Sequence, residues 1–306
     1  MPKTATQMMS EIRQRREAIW FEMPAEVARL ARGEIPRHTG SYGQYFTSLL
    51  FAEGETRTMT DEVLWSLRQV SQAPDTDLHT IQRVMDELVS YKADFLDFIG
   101  LPETAALFKE FLATALSLTG KEELIELIGE MLTFGNRFQM WIDFVFPWGV
   151  ANAFPRPVPT PKFPPARQVA PTPGRPIIEI WVEDEPLAEA ELLIDKAPHL
   201  CGQIVDSLPM RALIQHAKLA GQEFFWTAPI VGPWENLVKT EALGQGDIGF
   251  YNPRQQVCLF YGRELALEPL GMSHIGRVVS GLERLEATGM RNWLHQGQRL
   301  ELRARS

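Results

Sequence analysis

His216, Glu223, Tyr261 and Glu268 carry side chains able to give or take a proton at a reacting centre. Arg211, Arg254 and Arg277 carry planar guanidiniums, whose fork of donors suits carboxylates. Trp226 and Tyr251 could form flat walls of a small-molecule pocket, and Ser273-His274 sets a hydroxyl beside an imidazole. Each has a plainer reading. His216 shares its strand face with Ala212 and Ile214, so a hydrogen-bonded core histidine fits as well as a catalytic one. Glu223 alternates with Phe224 and reads first as a solvent-facing carboxylate. Arg254, at a hairpin corner, reads equally as solvated, and Trp226 and Tyr251 suit a core. Glu268-Pro269 falls in a loop, where function is commoner than in a core. Ser273-His274 has no acid nearby in sequence to complete a hydrolytic triad.

The histidines at 38, 79, 199, 216, 274 and 295 show no paired metal-ligand spacing. No G-x-G-x-x-G or P-loop pattern is present to hold a nucleotide. The expectation is a site without metal or cofactor. Net charge is −9, of which residues 1–150 carry −8 and residues 151–306 carry −1. An acidic N-terminal half argues against nucleic acid and anionic lipid as partners. No apolar run approaches the roughly 20 residues that span a bilayer. The first residues lack the apolar core of a signal peptide, so a cytoplasmic protein is expected. Cys201 and Cys258 sit among apolar neighbours and read as small core residues.

The elements that must position these groups divide the chain. Through residues 1–150 apolar side chains recur at helical steps. Ile81, Val84, Met85, Leu88, Phe95, Leu96 and Ile99 form one such stripe. Gly100 stops it, and Pro102 suits the first turn of the next helix. Thr119 with Glu122 has capping-box spacing, and Thr60-Asp61-Glu62 reads as another helix start. Short connections make this half an α-helical bundle. The aromatic residues Phe134, Phe138, Trp141, Phe144, Phe146 and Trp148 read as core or as a homo-oligomer surface. Residues 151–176 hold nine prolines from Pro155 onward, an extended linker. From 177 to 306 the period switches to two, as in Ile178, Ile180 and Val182. Strand, strand, a helix from Pro198 and then mainly strands give an antiparallel barrel. The fold class is α+β in two domains.

The run Gly246-Asp247-Ile248-Gly249-Phe250 through Asn252-Pro253-Arg254 to Cys258-Leu259-Phe260-Tyr261-Gly262 carries a resemblance. With Ile194-Asp195-Lys196-Ala197-Pro198, Phe225-Trp226-Thr227-Ala228-Pro229 and Glu268-Pro269 before Gly276-Arg277-Val278, it resembles the small cyclophilin-like β-barrel family. The arginine-bearing run of true prolyl isomerases has no counterpart in Gln215–Trp226. The closer likeness is to the bacterial opine synthases that make cucumopine and mikimopine, which join such a barrel to a helical bundle. That resemblance implies condensation of histidine with a 2-oxo acid such as 2-oxoglutarate. Imine formation is followed by ring closure through the imidazole carbon. It implies Arg254, Arg277 and Arg211 as carboxylate forks, with Trp226, Tyr251 and Ser273 against the substrate. Proton transfer then falls to His216, Glu223, Tyr261 and Glu268. The expectation is that His216, Trp226, Arg254, Tyr261 and Arg277 converge on one concave face. A lyase or amidohydrolase on the same barrel, or a noncatalytic binding or assembly protein, are the alternatives.

Overall fold

The computed structural model describes residues 2–34, 44–147, 170–218, 220–265 and 271–305. Trp148, most of the expected linker and Glu268-Pro269 lie outside them. The chain divides into two compact units, Met1–Pro147 and Trp148–Ser306.

The first unit is helical: α1 (Ala5–Ala18), α2 (Ala25–Ala31), α3 (Gln44–Thr58), α4 (Trp65–Gln72), α5 (Leu78–Phe98), α6 (Pro102–Ser117) and α7 (Lys121–Val145). Thr4 and Gln7 close a capping box on α1, and Asp77 caps α5. α6 has Pro102 in its first turn and no cap of its own. Glu26 of α2 instead accepts from the Glu103 and Thr104 N–H groups, placing a carboxylate at the helix's positive end. Two expected helix starts are corrected. α7 begins one residue after Gly120, which takes the N-cap position, so Thr119 does not cap it. Thr60 opens nothing, because it sits in a π-helical turn, Met59–Leu64, that joins α3 to α4 without a break. Gly135 of α7 faces this turn, and a Cβ there would lie 2.7 Å from the Thr60 methyl. α7 is buried on all sides from Leu127 to Asp143, the pattern of a central helix. Phe134, Phe138 and Trp141 are core residues.

The second unit is a nearly closed antiparallel barrel with two helices. Its elements are β1 (Ile177–Val182), β2 (Glu185–Leu192), α8 (Pro198–Asp206), β3 (Met210–Leu213), β4 (Gln215–His216), β5 (Gly221–Thr227) and β6 (Leu237–Val238). They continue with β7 (Asp247–Tyr251), β8 (Gln256–Leu265), β9 (Met272–Ser280), α9 (Leu282–Leu294) and β10 (Arg299–Ala304). The strand order is β3-β10-β1-β2-β9-β7-β8-β5-β4, with β6 on β9. The two ends of that order, β3 and β4, are successive parts of one segment. Met210–Leu213 pairs with β10, and Gln215–His216 pairs with β5. Between them the Ile214 N–H donates to the Gln298 carbonyl. One segment bridging both ends removes the open edges.

Alternation along β8 sorts its side chains as expected. Val257, Leu259 and Tyr261 join the inner core with Phe224, Trp226, Ile248 and Phe250. Cys258 and Phe260 join a smaller outer cluster with Phe225 and Met272. The Asn252–Arg254 corner is a 3₁₀ turn, after which Gln255 takes a left-handed conformation, φ 51°, to enter β8. Cys201 and Cys258 are buried free thiols, and burial pushes Cys201 up to about 12.

Candidate functional site

His216 is placed by β4 and Tyr261 by β8. Register carries both to the inner face: His216 lies opposite Phe224 and Phe224 opposite Leu259, two residues before Tyr261. There the His216 Nε2 and the Tyr261 hydroxyl are 2.7 Å apart. Both residues are buried. Trp293 of α9 meets the imidazole edge-on at 4.5 Å between ring centres. Met290 Sδ lies 3.7 Å from the phenol oxygen. Gly289 is what lets α9 come this near, since a Cβ there would lie 2.3 Å from the Tyr261 ring.

This environment keeps both groups neutral. Burial first, and the Lys218 charge second, lower His216 to about 3. Burial first, then the Glu286 carboxylate, raise the Tyr261 phenol above its ordinary value. The pair is therefore a free imidazole hydrogen-bonded to a protonated phenol. The other imidazole nitrogen, Nδ1, is buried without a hydrogen-bond partner, as are both amide atoms of Asn292 on the inward face of α9. These are polar atoms left for a ligand or water to satisfy. A cleft of about 250 Å³ is lined by Gln222, Gln245, Gly262, Arg263, Glu264 and Glu286; it adjoins Tyr261 in sequence through Gly262, and neither His216 nor Tyr261 lines it. The Gln245 amide donates to the Tyr261 backbone carbonyl.

The depressed His216 value has a consequence for stability. The unfolded imidazole titrates near 6.5, so between roughly pH 6.5 and 3 the unfolded chain takes up a proton that the folded one refuses. This contribution is full above pH ~6.5 and is lost as pH falls, by roughly 1.4 kcal/mol per unit within the window. Urea unfolding of His216→Gln between pH ~4 and ~7 should show a shallower slope than the wild type. Equal slopes would contradict the buried neutral imidazole.

The remaining expected residues do not join this pair. Trp226 shares the inner face, fully buried with its indole N–H unpartnered, but Phe224 lies between it and His216 along the barrel wall. Glu223 is buried, not solvent-facing. It lies opposite Phe260 and thus on the outer face, away from His216. Tyr251, Arg254 and Ser273 gather at the other end of β8. Arg254 lies 5.4 Å from the Tyr251 ring, and the Ser273 hydroxyl donates to Asn252. Gln256, at that end, is five strand residues from Tyr261, about 17 Å, beyond the reach of a guanidinium. Arg277 is opposite Asp247 and Glu191 on the outer face and is ion-paired to Glu191. Arg211 is on the surface beside Glu301. Convergence on one face is thereby corrected, because strand parity sends Glu223 and Arg277 outward and strand length separates Arg254. Ser273 and His274, as strand neighbours, take different partners: His274 meets Asp247 at 3.1 Å. Glu268 lies outside the described residues.

Trp293, Met290, Gly289 and Asn292 were not foreseen. Their signal was available as a helical period after Gly281, within a half read mainly as strands. Among the described residues, no three His, Cys, Asp or Glu side chains are grouped as a metal site. No described helix is long and apolar enough to cross a membrane.

Comparison with known proteins assigns each unit. Residues 5–144 match the family described as the cucumopine synthase C-terminal helical bundle domain, and residues 176–292 match the cyclophilin-like family. The description of the first places the bundle at a C-terminus, whereas here it precedes the barrel. No curated protein matches the chain. Among solved structures, that of McbB in complex with tryptophan is similar at 26% identity, with a TM-score of 0.46. The match covers 49% of this chain and 49% of that one, about half the length of each. The chain thus joins a helical bundle domain of the cucumopine-synthase type to a cyclophilin-like β-barrel domain.

Proposed function

We propose that the chain is a synthase of the opine type, condensing the amine of an amino acid with a 2-oxo acid and needing no redox cofactor. The observation that carries this reading is the presence of both domain types in one chain. The neutral His216–Tyr261 pair is the group to which this reading gives the proton chemistry. The amine attacks the oxo carbon to give a carbinolamine. The pair gives one proton to its hydroxyl, which leaves as water, and an iminium remains. With histidine as the amine, the imidazole carbon attacks the iminium carbon, and the pair takes back the proton that this ring carbon loses. Protons balance, and the product is the sum of the reactants less one water. Giving the proton leaves the pair transiently anionic, a state that burial opposes and that the iminium cation formed in the same step offsets. Lys218 and Arg263, near this end, replace Arg254 and Arg277 as the cations placed to meet substrate carboxylates. Histidine with 2-oxoglutarate is the proposed pair.

A second reading is a noncatalytic binding barrel. It is favoured by the apolar packing of most of the barrel interior, from Ile178 to Leu302. Incubating the full chain with histidine and a panel of 2-oxo acids, followed by mass spectrometry, separates the readings. A new species at the summed mass less one water is expected. Unchanged substrates would favour binding alone, and products heavier by one water would indicate hydrolysis.

A further inference from the structure

Arg137 stands in the middle of α7 with no exposed surface. No carboxylate among the described residues forms an ion pair with it. Its Nη1 donates to the Met140 sulfur at 2.7 Å, and its Nε reaches the Ile19 carbonyl only at 3.4 Å. Its Nη2 has no hydrogen-bond partner at all. Three aromatic rings surround the guanidinium carbon: Trp20 at 4.6 Å, Trp141 at 5.7 Å and Phe21 at 5.9 Å. Burial lowers this arginine to about 9, against a weak opposing pull from Glu17, so it stays charged at neutral pH.

Such an arrangement is costly in the free protein. An unpaired buried ion is penalised by several kcal/mol, while each cation–π contact returns about 0.5–2 kcal/mol. A sulfur is a weak acceptor and cannot replace a carboxylate oxygen. Arg57, half-buried in the same bundle, shows the contrast, since it is paired with Asp143 and Glu53. Trp20 and Phe21 belong to the non-helical link between α1 and α2, and Phe21 is 44% exposed. The cover over the cation is therefore a non-helical link, held by the Trp141 indole N–H at the Ile19 carbonyl, 2.7 Å.

We propose that Arg137 is the anchor of a carboxylate-binding site inside the helical bundle, entered by displacement of the Trp20-Phe21 link. The unpartnered Nη2 offers a planar donor group that suits a carboxylate approaching in the guanidinium plane. The rings then flank the anion's body. One isolated cation balances one negative charge. A phosphate dianion would keep an uncompensated charge among aromatic groups, so the ligand class is a monocarboxylate with a flat or apolar body. This proposal does not rest on the reaction proposed for the barrel.

The test uses the full chain and benzoate as the probe, with benzamide as its uncharged counterpart and chloride holding ionic strength constant. Benzoate should raise the melting temperature and change tryptophan fluorescence saturably, whereas benzamide and added phosphate should not. Arg137→Met should melt higher than the wild type without ligand, because it removes an uncompensated charge, and should lose the benzoate response. Arg137→Lys should bind benzoate at least about tenfold more weakly, and it serves if the methionine variant does not fold. A wild type indifferent to benzoate would overturn the proposal. So would a response that survives in either variant, an equal response to benzamide or phosphate, or an Arg137→Met protein that melts lower than the wild type.

Discussion

Replacing His216 with alanine should lower kcat for the condensation by about a hundredfold to a thousandfold while changing KM little. The imidazole is held inside the barrel, 2.7 Å from the Tyr261 hydroxyl, and no other described titratable group is hydrogen-bonded to that phenol. Removing it strands the proton of the phenol, which burial already holds above its usual range. Tyr261→Phe should fall by a similar factor, and the double variant should be little worse than either single one, because the two act as a unit. Steady-state kinetics on variants of native circular dichroism decide this. Additive losses would mean that the residues act separately, and an unaffected kcat in both would move the chemistry elsewhere.

The largest effect on stability should come from Glu191→Ala. Glu191 has no exposed side-chain surface, yet Arg175 and Arg277 both pair with it and the Thr172 N–H donates to it at 2.7 Å. Burial works to raise its carboxyl, but the Thr172 N–H and the two arginines outweigh this and hold it below the usual carboxylate range. Truncation leaves Arg175, just before β1, and Arg277 of β9 without their shared carboxylate. The expected loss is about 3 kcal/mol, the low end for a broken buried pair because both arginines keep some solvent. Chemical denaturation measures it. A loss below about 1 kcal/mol would show that solvent already screens the cluster. Arg277→Lys should likewise act on stability rather than on substrate affinity.

How far the sequence reveals this architecture depends on whether the signal is local. The switch from helical to alternating period falls at Ile177, where β1 begins. The residues of β8 sort to two faces as their alternation requires, because parity along one strand is a property of sequence alone. Pairing between strands is not. The outward turn of Arg277 depends on β9 lying between β2 and β7, with register shifts in both pairings. No pattern within 273–279 contains that information. Likewise Tyr261 and Arg254 look close in sequence, yet an extended strand carries them to opposite ends of the barrel. His216 could be read two ways from its apolar neighbours, and the structure shows a core histidine, whose hydrogen bond is to a phenol. The π-helical turn at Met59–Leu64 has no sequence mark comparable to a cap, and the solitary Arg137 is hidden in a stretch that otherwise reads as core.

The condensation proposed for the barrel closes an amino acid onto a 2-oxo acid through the ring carbon. Histidine deuterated on its imidazole carbons, incubated with 2-oxoglutarate and the full chain, tests it most directly. The predicted product has the summed mass less one water, with the deuterium at the attacked carbon lost to solvent, and it fails to form with His216→Ala. A product that retains every ring deuterium would contradict ring closure. The absence of any dehydrated product from histidine or other amino acids would contradict the condensation itself.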